Sequence, residues 1–433
     1  MLGKIEKNGG FQPSVYLSIP DKKTCKAGLH QTGGGASFAD LASEAGFGRQ
    51  DAHRAALDHM EQCCRAIRRD THKNGYSLRS LGRGLVKDIH RSLSLCGVSV
   101  LRVGSGNASL VVRESSSGLR ADLEGTMSCK SAWACPVCAP RLANARAKAL
   151  QPQVAAFMQR GFTAYLLTFT VRHKRNTPLD ALLDKLGVAW RGLMQSRDYV
   201  QWRHGFPEKP EWSRGWDMTH GNHGWHPHMH MMLLLPPSGT EKDAAELLAF
   251  WMKQARLAGL TVSRDAQDVQ RLDNPEAAAR YAVSPAAVYE AVALAKKQGT
   301  GAGKTPFQIL ELAVADEKAG VSGSRWVALW REYVEATKGR RLVATSRGLK
   351  LKADAALSLE DDDEPLKVDR LVAFDRVAIR ALDRSNLMPH LLLISESLDC
   401  PWSRRSAIVS FLKGRCIPGL FWPLPVVDDV VLQ

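Results

Sequence analysis

The chain has 433 residues, 45% hydrophobic and 24% charged, and a formal net charge of +15 at pH 7. That is the composition of a folded globular protein with room for two or three domains. No apolar run approaches the ~20 residues of a membrane helix, which argues against a spanning protein. The excess of Lys and Arg points to a polyanionic partner: DNA, RNA or an anionic membrane surface. The segment after Met1-Leu2-Gly3-Lys4 has no apolar signal core, so a cytoplasmic setting is expected. There the nine cysteines do not form a disulfide framework.

In chain order, residues 37–69 read as a helix, and 81–125 as a short helix followed by β-hairpin material. A cysteine cluster precedes an Ala/Arg-rich helix from Arg141, which Pro152 should kink or end. Phe162 to Val171 is aromatic and β-branched and reads as a central strand. A helix opens at Pro178 and runs to Met194. Trp216 to Thr219 and Trp225 to Leu235 read as two strands joined by a turn over 220–224. A helix over 240–257, a short strand over 269–272, a helix from Pro275, a loop over 299–303 and a helix over 326–337 follow. The run 360–365 reads as an acidic linker, and the tail mixes helical and strand-like pieces. A hairpin set among alternating elements predicts an α+β domain with a mostly antiparallel sheet.

Three constellations carry chemistry. In Trp225-His226-Pro227-His228-Met229-His230, alternate residues of a strand share a face. The three histidines therefore line up to hold a divalent metal, and the apolar run that follows anchors the strand in a core. Asp217, on the expected partner strand, offers an oxygen ligand, which widens the choice to Mn2+ or Mg2+. Cys135-Pro136-Val137-Cys138, with Cys129 upstream and Cys96 as the fourth thiolate, reads as a structural Zn2+ site; a redox CxxC is the alternative. Tyr281, in Ala277-Ala278-Ala279-Arg280-Tyr281, is a candidate nucleophile, with Tyr289 as its competitor. The Gly-rich run ending in Lys304-Thr305 lacks the first glycine and the preceding strand of a phosphate loop, and is read as a loop.

In this order the motifs resemble the rolling-circle plasmid replication initiators of the single-tyrosine HUH endonuclease superfamily. Leu167-Thr168-Phe169-Thr170-Val171-Arg172-His173 resembles the first block, and Trp216-Asp217 through His230 the second. Gly303-Lys304-Thr305-Pro306-Phe307, Leu329-Trp330-Arg331-Glu332-Tyr333, Lys338-Gly339-Arg340-Arg341 and Ser346-Arg347-Gly348-Leu349 resemble later ones. The resemblance implies His228 and His230 as the metal pair and His226 as an accessory neighbour of the DNA. Asp217 stands where a glutamate is usual. Tyr281 is then the nucleophile and Glu276 a candidate second-step activator. Arg172, His173, Arg280, Lys304, Lys338, Arg340, Arg341 and Arg347 would contact DNA. Ser284 replaces the usual lysine three residues after the tyrosine, leaving Arg280 or Lys296 to substitute.

The implied activity is nicking of one strand at a plasmid origin through a 5′-phosphotyrosyl intermediate, followed by rejoining. Its partners are origin DNA, single-stranded at the nick, and host helicase and polymerase, in a bacterial cytoplasm. The alternatives are a relaxase or single-strand transposase of the same superfamily, a non-catalytic zinc-containing DNA-binding regulator, or a metallohydrolase using water. The expected architecture is an HUH-type central antiparallel sheet flanked by helices, a Cys-rich module and extra terminal segments. The expected divisions are a helical region over 1–90, the Cys-rich module and its helix over 91–160, the catalytic domain over 161–350, and the linker and C-terminal region over 351–433.

Overall fold

The computed structural model describes residues 74–101, 107–115, 118–275, 278, 303–351, 367–398 and 400–415, all within the unit Arg65–Gln433. The helix expected over 37–69, the acidic stretch 360–365, the loop 299–302 and Glu276, Arg280, Tyr281, Ser284, Tyr289 and Lys296 lie outside the described residues.

Helix α1 (74–82) and the short α2 (Arg91–Leu95) precede a hairpin of β1 (Ala108–Ser115) and β2 (Gly118–Glu124). Helix α3 (Cys138–Gln159) leads to β3 (Thr163–Thr170), α4 (Leu179–Gln195) and α5 (Arg197–His204). Then come β4 (Glu211–Gly221), β5 (Gly224–Leu235), α6 (Glu241–Leu257) and β6 (Asp268–Leu272). After Gly303 the chain forms α7 (Pro306–Lys318), α8 (Arg325–Thr337) and β7 (Val343–Thr345). It continues with β8 (Lys367–Phe374), α9 (Arg376–Arg384), α10 (Met388–Glu396) and α11 (Pro401–Lys413).

Five strands form one antiparallel sheet in the order β6-β3-β5-β4-β7. This is the α+β architecture implied by a tight hairpin among alternating elements. The hairpin is longer than the sequence indicates: β4 and β5 pair from Glu211↔Leu234 to Gly221↔Gly224, which shrinks the turn to Asn222-His223. Gly224 closes it at φ +89°, and a Cβ there would stand 2.5 Å from the Arg175 carbonyl oxygen. Only glycine fits that position.

Alternation gives the sheet two different faces. Trp216, Met218, Trp225, Met229, Met231 and Leu233 enter the main core together with residues of α4, α6 and α8. Ala164, Leu166, Met232, Leu234 and Leu272 enter a second cluster with Leu150 and Val154 of α3. That second contact explains why α3 runs on past Pro152 rather than ending there, the ending being one of the two outcomes expected of that proline. Pro152 is exposed, whereas Leu150 and Val154 on either side are fully buried against the sheet. Packing on both flanks outweighs the missing hydrogen bond.

A second sheet has the order β2-β1-β8, with β1 pairing antiparallel to β8 from Ala108↔Phe374 to Glu114↔Lys367. The tail thus returns to the residues before the cysteine cluster. Glu396 of α10 accepts the Ala121 backbone N–H of β2 at 3.0 Å, and Arg404 of α11 pairs with Asp369 of β8 at 3.1 Å. Among the described residues no helix is long and apolar enough to cross a membrane.

Candidate active site

The histidine strand β5 runs half-buried, buried, half-buried from His226 to Met231, so its imidazoles share one face and its methionines the other. On the neighbouring strand Asp217 lies directly opposite His228, Gly215 opposite His230 and Thr219 opposite His226. Directly opposed residues of antiparallel strands share a face, with Cβ atoms about 4.5–5.5 Å apart. Asp217 and His228 therefore share the same face of the sheet. On the other side, Thr170 is opposite His228 and Thr168 opposite His230. Their hydroxyls lie 3.4 Å from His228 Nδ1 and 3.2 Å from His230 Nδ1. The two imidazoles are stacked, 6.2 Å between centroids and 17° between planes. With Nδ1 turned to a threonine, Nε2 is the atom each ring would offer to an ion. The ligand atoms of His228, His230 and Asp217 do not all come within 4.8 Å of one another, as those of the cysteine cluster do, so the three are neighbours on one face rather than a closed metal cage.

This face continues into the second cluster, where Ala278 is fully buried. Ala278 is three residues before Tyr281. The outer strand β6 adds an exposed carboxylate, Asp268, opposite Thr168. Sequence reading missed Thr168, Thr170 and Asp268. The period-two pattern Thr168-Phe169-Thr170 was the signal for the first two, whereas Asp268 follows only from strand pairing.

At the hairpin end, His226 is engaged by another histidine: its Nδ1 lies 2.8 Å from His173 Nε2. Burial, the largest effect on each, holds both imidazoles below the ordinary histidine range. As neutral rings one donates and the other accepts. His220 stacks edge-on against Trp225 with 5.0 Å between centroids, and burial followed by the nearby Arg325 lowers its pKa. Its backbone pairs with Lys304 through bonds of 2.8 and 2.7 Å. Thr305 and Gln308 then form a capping box that starts α7. The end of the Gly-rich run is thereby fixed against the histidine hairpin, with Lys304 exposed and its Nζ 5.9 Å from the Trp326 ring centre.

The other basic residues are dispersed. Arg172, Arg341 and Arg347 are exposed. Lys338 donates to the Ile89 carbonyl at 2.8 Å, and Arg340 pairs with Asp184 at 2.8 Å and donates to the Ala336 carbonyl at 2.6 Å. These last two side chains are held within the fold. The strand is buttressed from the opposite face: Trp225 stacks on Tyr333 at 5.8 Å, and Tyr333 donates to the Trp133 carbonyl at 3.0 Å.

Trp133 belongs to the cysteine knuckle. The sulfurs of Cys96, Cys129, Cys135 and Cys138 all lie within 4.8 Å of one another, a set that could hold a metal ion. Cys135 is fully buried, and burial is the first cause that raises its thiol well above the ordinary range.

A protein rep of Streptomyces lividans is 27% identical to this chain over 335 residues, covering 61% of the chain and 71% of that protein. A protein named neomycin resistance protein, from Streptomyces cyanogenus, is 25% identical over 287 residues, covering 50% of the chain and 66% of that protein. No solved structure matches the chain. Residues 120–373, more than half of the chain, match the replication-protein family. They take in most of β2, three of the four clustered cysteines, α3, the whole five-stranded sheet with its histidine face, and nearly all of β8. The chain belongs to the replication-protein family, in keeping with a role in plasmid replication.

Proposed function

We propose that this protein initiates rolling-circle plasmid replication by nicking one DNA strand at the origin. The observation that carries this reading is the pairing of Asp217 with His228, and of His230 beside it, on the sheet face where Ala278 is buried three residues before Tyr281. Tyr281 Oη attacks the scissile phosphorus and the bond from phosphorus to the 3′ oxygen breaks. The 3′ oxygen leaves as a hydroxyl, and the 5′ end remains on the tyrosine. One phosphodiester replaces another, so rejoining by attack of a 3′-hydroxyl needs no ATP. Glu276 is the candidate to accept the proton in that second step. A Mg2+ or Mn2+ held by His228, His230 and Asp217 would supply Lewis-acid stabilisation of charge on the phosphate oxygens.

The free 3′-hydroxyl would prime host polymerase after a host helicase opens the duplex, in a bacterial cytoplasm. The target must be single-stranded to reach a tyrosine. A chain of net charge +15 binds such DNA with strong salt dependence. Arg172, His173, Arg280, Lys304, Lys338, Arg340, Arg341 and Arg347 remain the proposed DNA contacts; Lys338 and Arg340 would have to exchange present partners to serve. His226, already paired with His173, is assigned an accessory place rather than ligation. The four cysteines are assigned to structural zinc. The working division keeps 161–350 as the catalytic domain, preceded by 1–90 and 91–160 and followed by 351–433.

The test is incubation of supercoiled origin plasmid with Mn2+ or Mg2+. Wild-type protein is expected to give nicked circles and a covalent protein–DNA band, and Tyr281→Phe neither. Binding without nicking would point to a regulator, and cutting without an adduct to a water nucleophile. An adduct that survives Tyr281→Phe but not Tyr289→Phe would move the nucleophile to Tyr289.

A further inference from the structure

The cysteine cluster has a charged neighbour that its ligand pattern does not announce. Sulfur–sulfur separations are 3.8 Å for Cys96–Cys135, 3.7 Å for Cys96–Cys138 and 3.7 Å for Cys129–Cys138. Tetrahedral zinc with Zn–S bonds of about 2.3 Å requires sulfur–sulfur edges of about 3.8 Å. The sulfurs therefore stand at the spacing of a ZnS4 unit, far beyond the ~2.05 Å of a disulfide.

Against this cluster lies Arg79, only 8% exposed. Its Nη1 is 3.9 Å from Cys96 Sγ, and its guanidinium sits 4.5 Å over the Tyr76 ring. Its Nε has no hydrogen-bond partner among the described residues, and no carboxylate there pairs with it. Arg83, one turn on, differs: it has Asp383 at 3.0 Å and the Cys96 carbonyl at 3.1 Å. The fold makes room for Arg79 at Gly97, which has φ +73° and whose Cβ would fall 2.3 Å from the guanidinium carbon.

A buried guanidinium needs a counter-charge. Four thiols supply none, and a disulfide with two thiols supplies none. Four thiolates around Zn2+ carry a net charge of −2. We propose that Arg79 is the built-in counter-cation of a zinc tetrathiolate formed by Cys96, Cys129, Cys135 and Cys138. Loading balances as Zn2+ displacing four protons from four thiols, with no change of oxidation state. The proposal rests on the structural-zinc assignment made above and is independent of nicking.

Two measurements on the full chain separate the assignment from its extension. Metal content of protein purified under reducing conditions is expected to be one zinc per chain, and cobalt substitution to give thiolate-to-cobalt charge-transfer absorption. No bound metal, or cobalt without thiolate bands, overturns the zinc assignment itself. Competition with a chromophoric chelator then compares wild type with Arg79→Met and Arg79→Lys. Loss of an outer-sphere partner typically weakens metal binding 10–100-fold. Arg79→Met is expected to fall in that range, and Arg79→Lys, which keeps the charge, to stay within about threefold of wild type. Zinc held as tightly by a folded Arg79→Met as by wild type overturns the counter-cation role. If Arg79→Met does not fold, Arg79→Lys decides alone: affinity within threefold supports the charge, and a loss of 10-fold or more assigns Arg79 to packing.

Discussion

Glu332 of α8 accepts the Trp225 indole N–H at 2.9 Å, and its other carboxylate oxygen accepts the Leu179 backbone N–H at 2.9 Å. One side chain thus ties the first residues of the histidine strand to the N-terminus of α4. Trp225 is 2% exposed, and a buried indole N–H left without an acceptor costs about 1–3 kcal/mol. Glu332→Leu orphans both donors and is expected to lower stability by that amount or more. Glu332→Gln keeps one acceptor oxygen and should retain at least half of it. Urea unfolding of the two variants checks the order. Equal losses would show that the carboxylate acts only by filling space.

Asp217→Asn and Asp217→Ala should both depress nicking, by roughly 10²–10³-fold, the range for removing one preorganised electrostatic group. Origin-duplex affinity at fixed salt should change less than threefold, because this carboxylate faces the histidine ladder rather than the basic surface. Asp217→Glu, which keeps the charge and lengthens the reach, should recover part of the rate. A parallel fall in duplex affinity and nicking would mean that Asp217 acts through folding instead.

Thr168→Val removes the hydroxyl 3.2 Å from His230 Nδ1 while preserving shape. Partners of the non-ligating nitrogen fix ring orientation, and their loss costs about 10-fold or more in metal affinity. The Mn2+ concentration giving half-maximal nicking is therefore expected to rise about 10-fold, with the saturated rate within a few-fold of wild type. An unchanged metal requirement would exclude a positioning role for Thr168.

Local pattern revealed much of this site, and long-range pairing supplied the rest. Alternation along His226 to Leu235 disclosed the strand and its face because period two is a local property of the chain. That Asp217 lies on the partner strand was within reach, but its register opposite His228 was not, because the turn read over 220–224 is in fact the two residues Asn222-His223. Asp268 was not, because its place beside Thr168 depends on β6 crossing back to pair with β3. The pairing of β1 with β8 joins residues more than 250 positions apart, which no window of sequence encodes. That α3 would continue past Pro152 was not legible, because the proline penalty is local while the compensation, Leu150 and Val154 on the sheet, is tertiary. Arg79 left no signal at all: a basic residue on a helix ordinarily reads as solvent-exposed.

Tyr76 gives the fold a pH limit on the alkaline side. It is 2% exposed and donates to Asp122, which also receives Arg141 at 2.5 Å. Burial first, then the Asp122 charge, push its hydroxyl up to about 12, against about 10 in an unfolded chain. A group whose folded pKa is raised contributes stability that is complete below the unfolded value and disappears as pH climbs through the folded one. The window is therefore pH 10 to 12, and a shift of about two units corresponds to roughly 2–3 kcal/mol. Tyr76→Phe cannot titrate and loses the hydrogen bond, so it should be less stable than wild type at pH 8 by about 1–2 kcal/mol. As pH rises above 10 the wild type should lose its advantage and the two unfolding curves converge. Urea midpoints at pH 8, 10 and 11.5 measure this difference directly. A gap between wild type and Tyr76→Phe that stays constant across that range would show that the hydroxyl does not govern the alkaline limit.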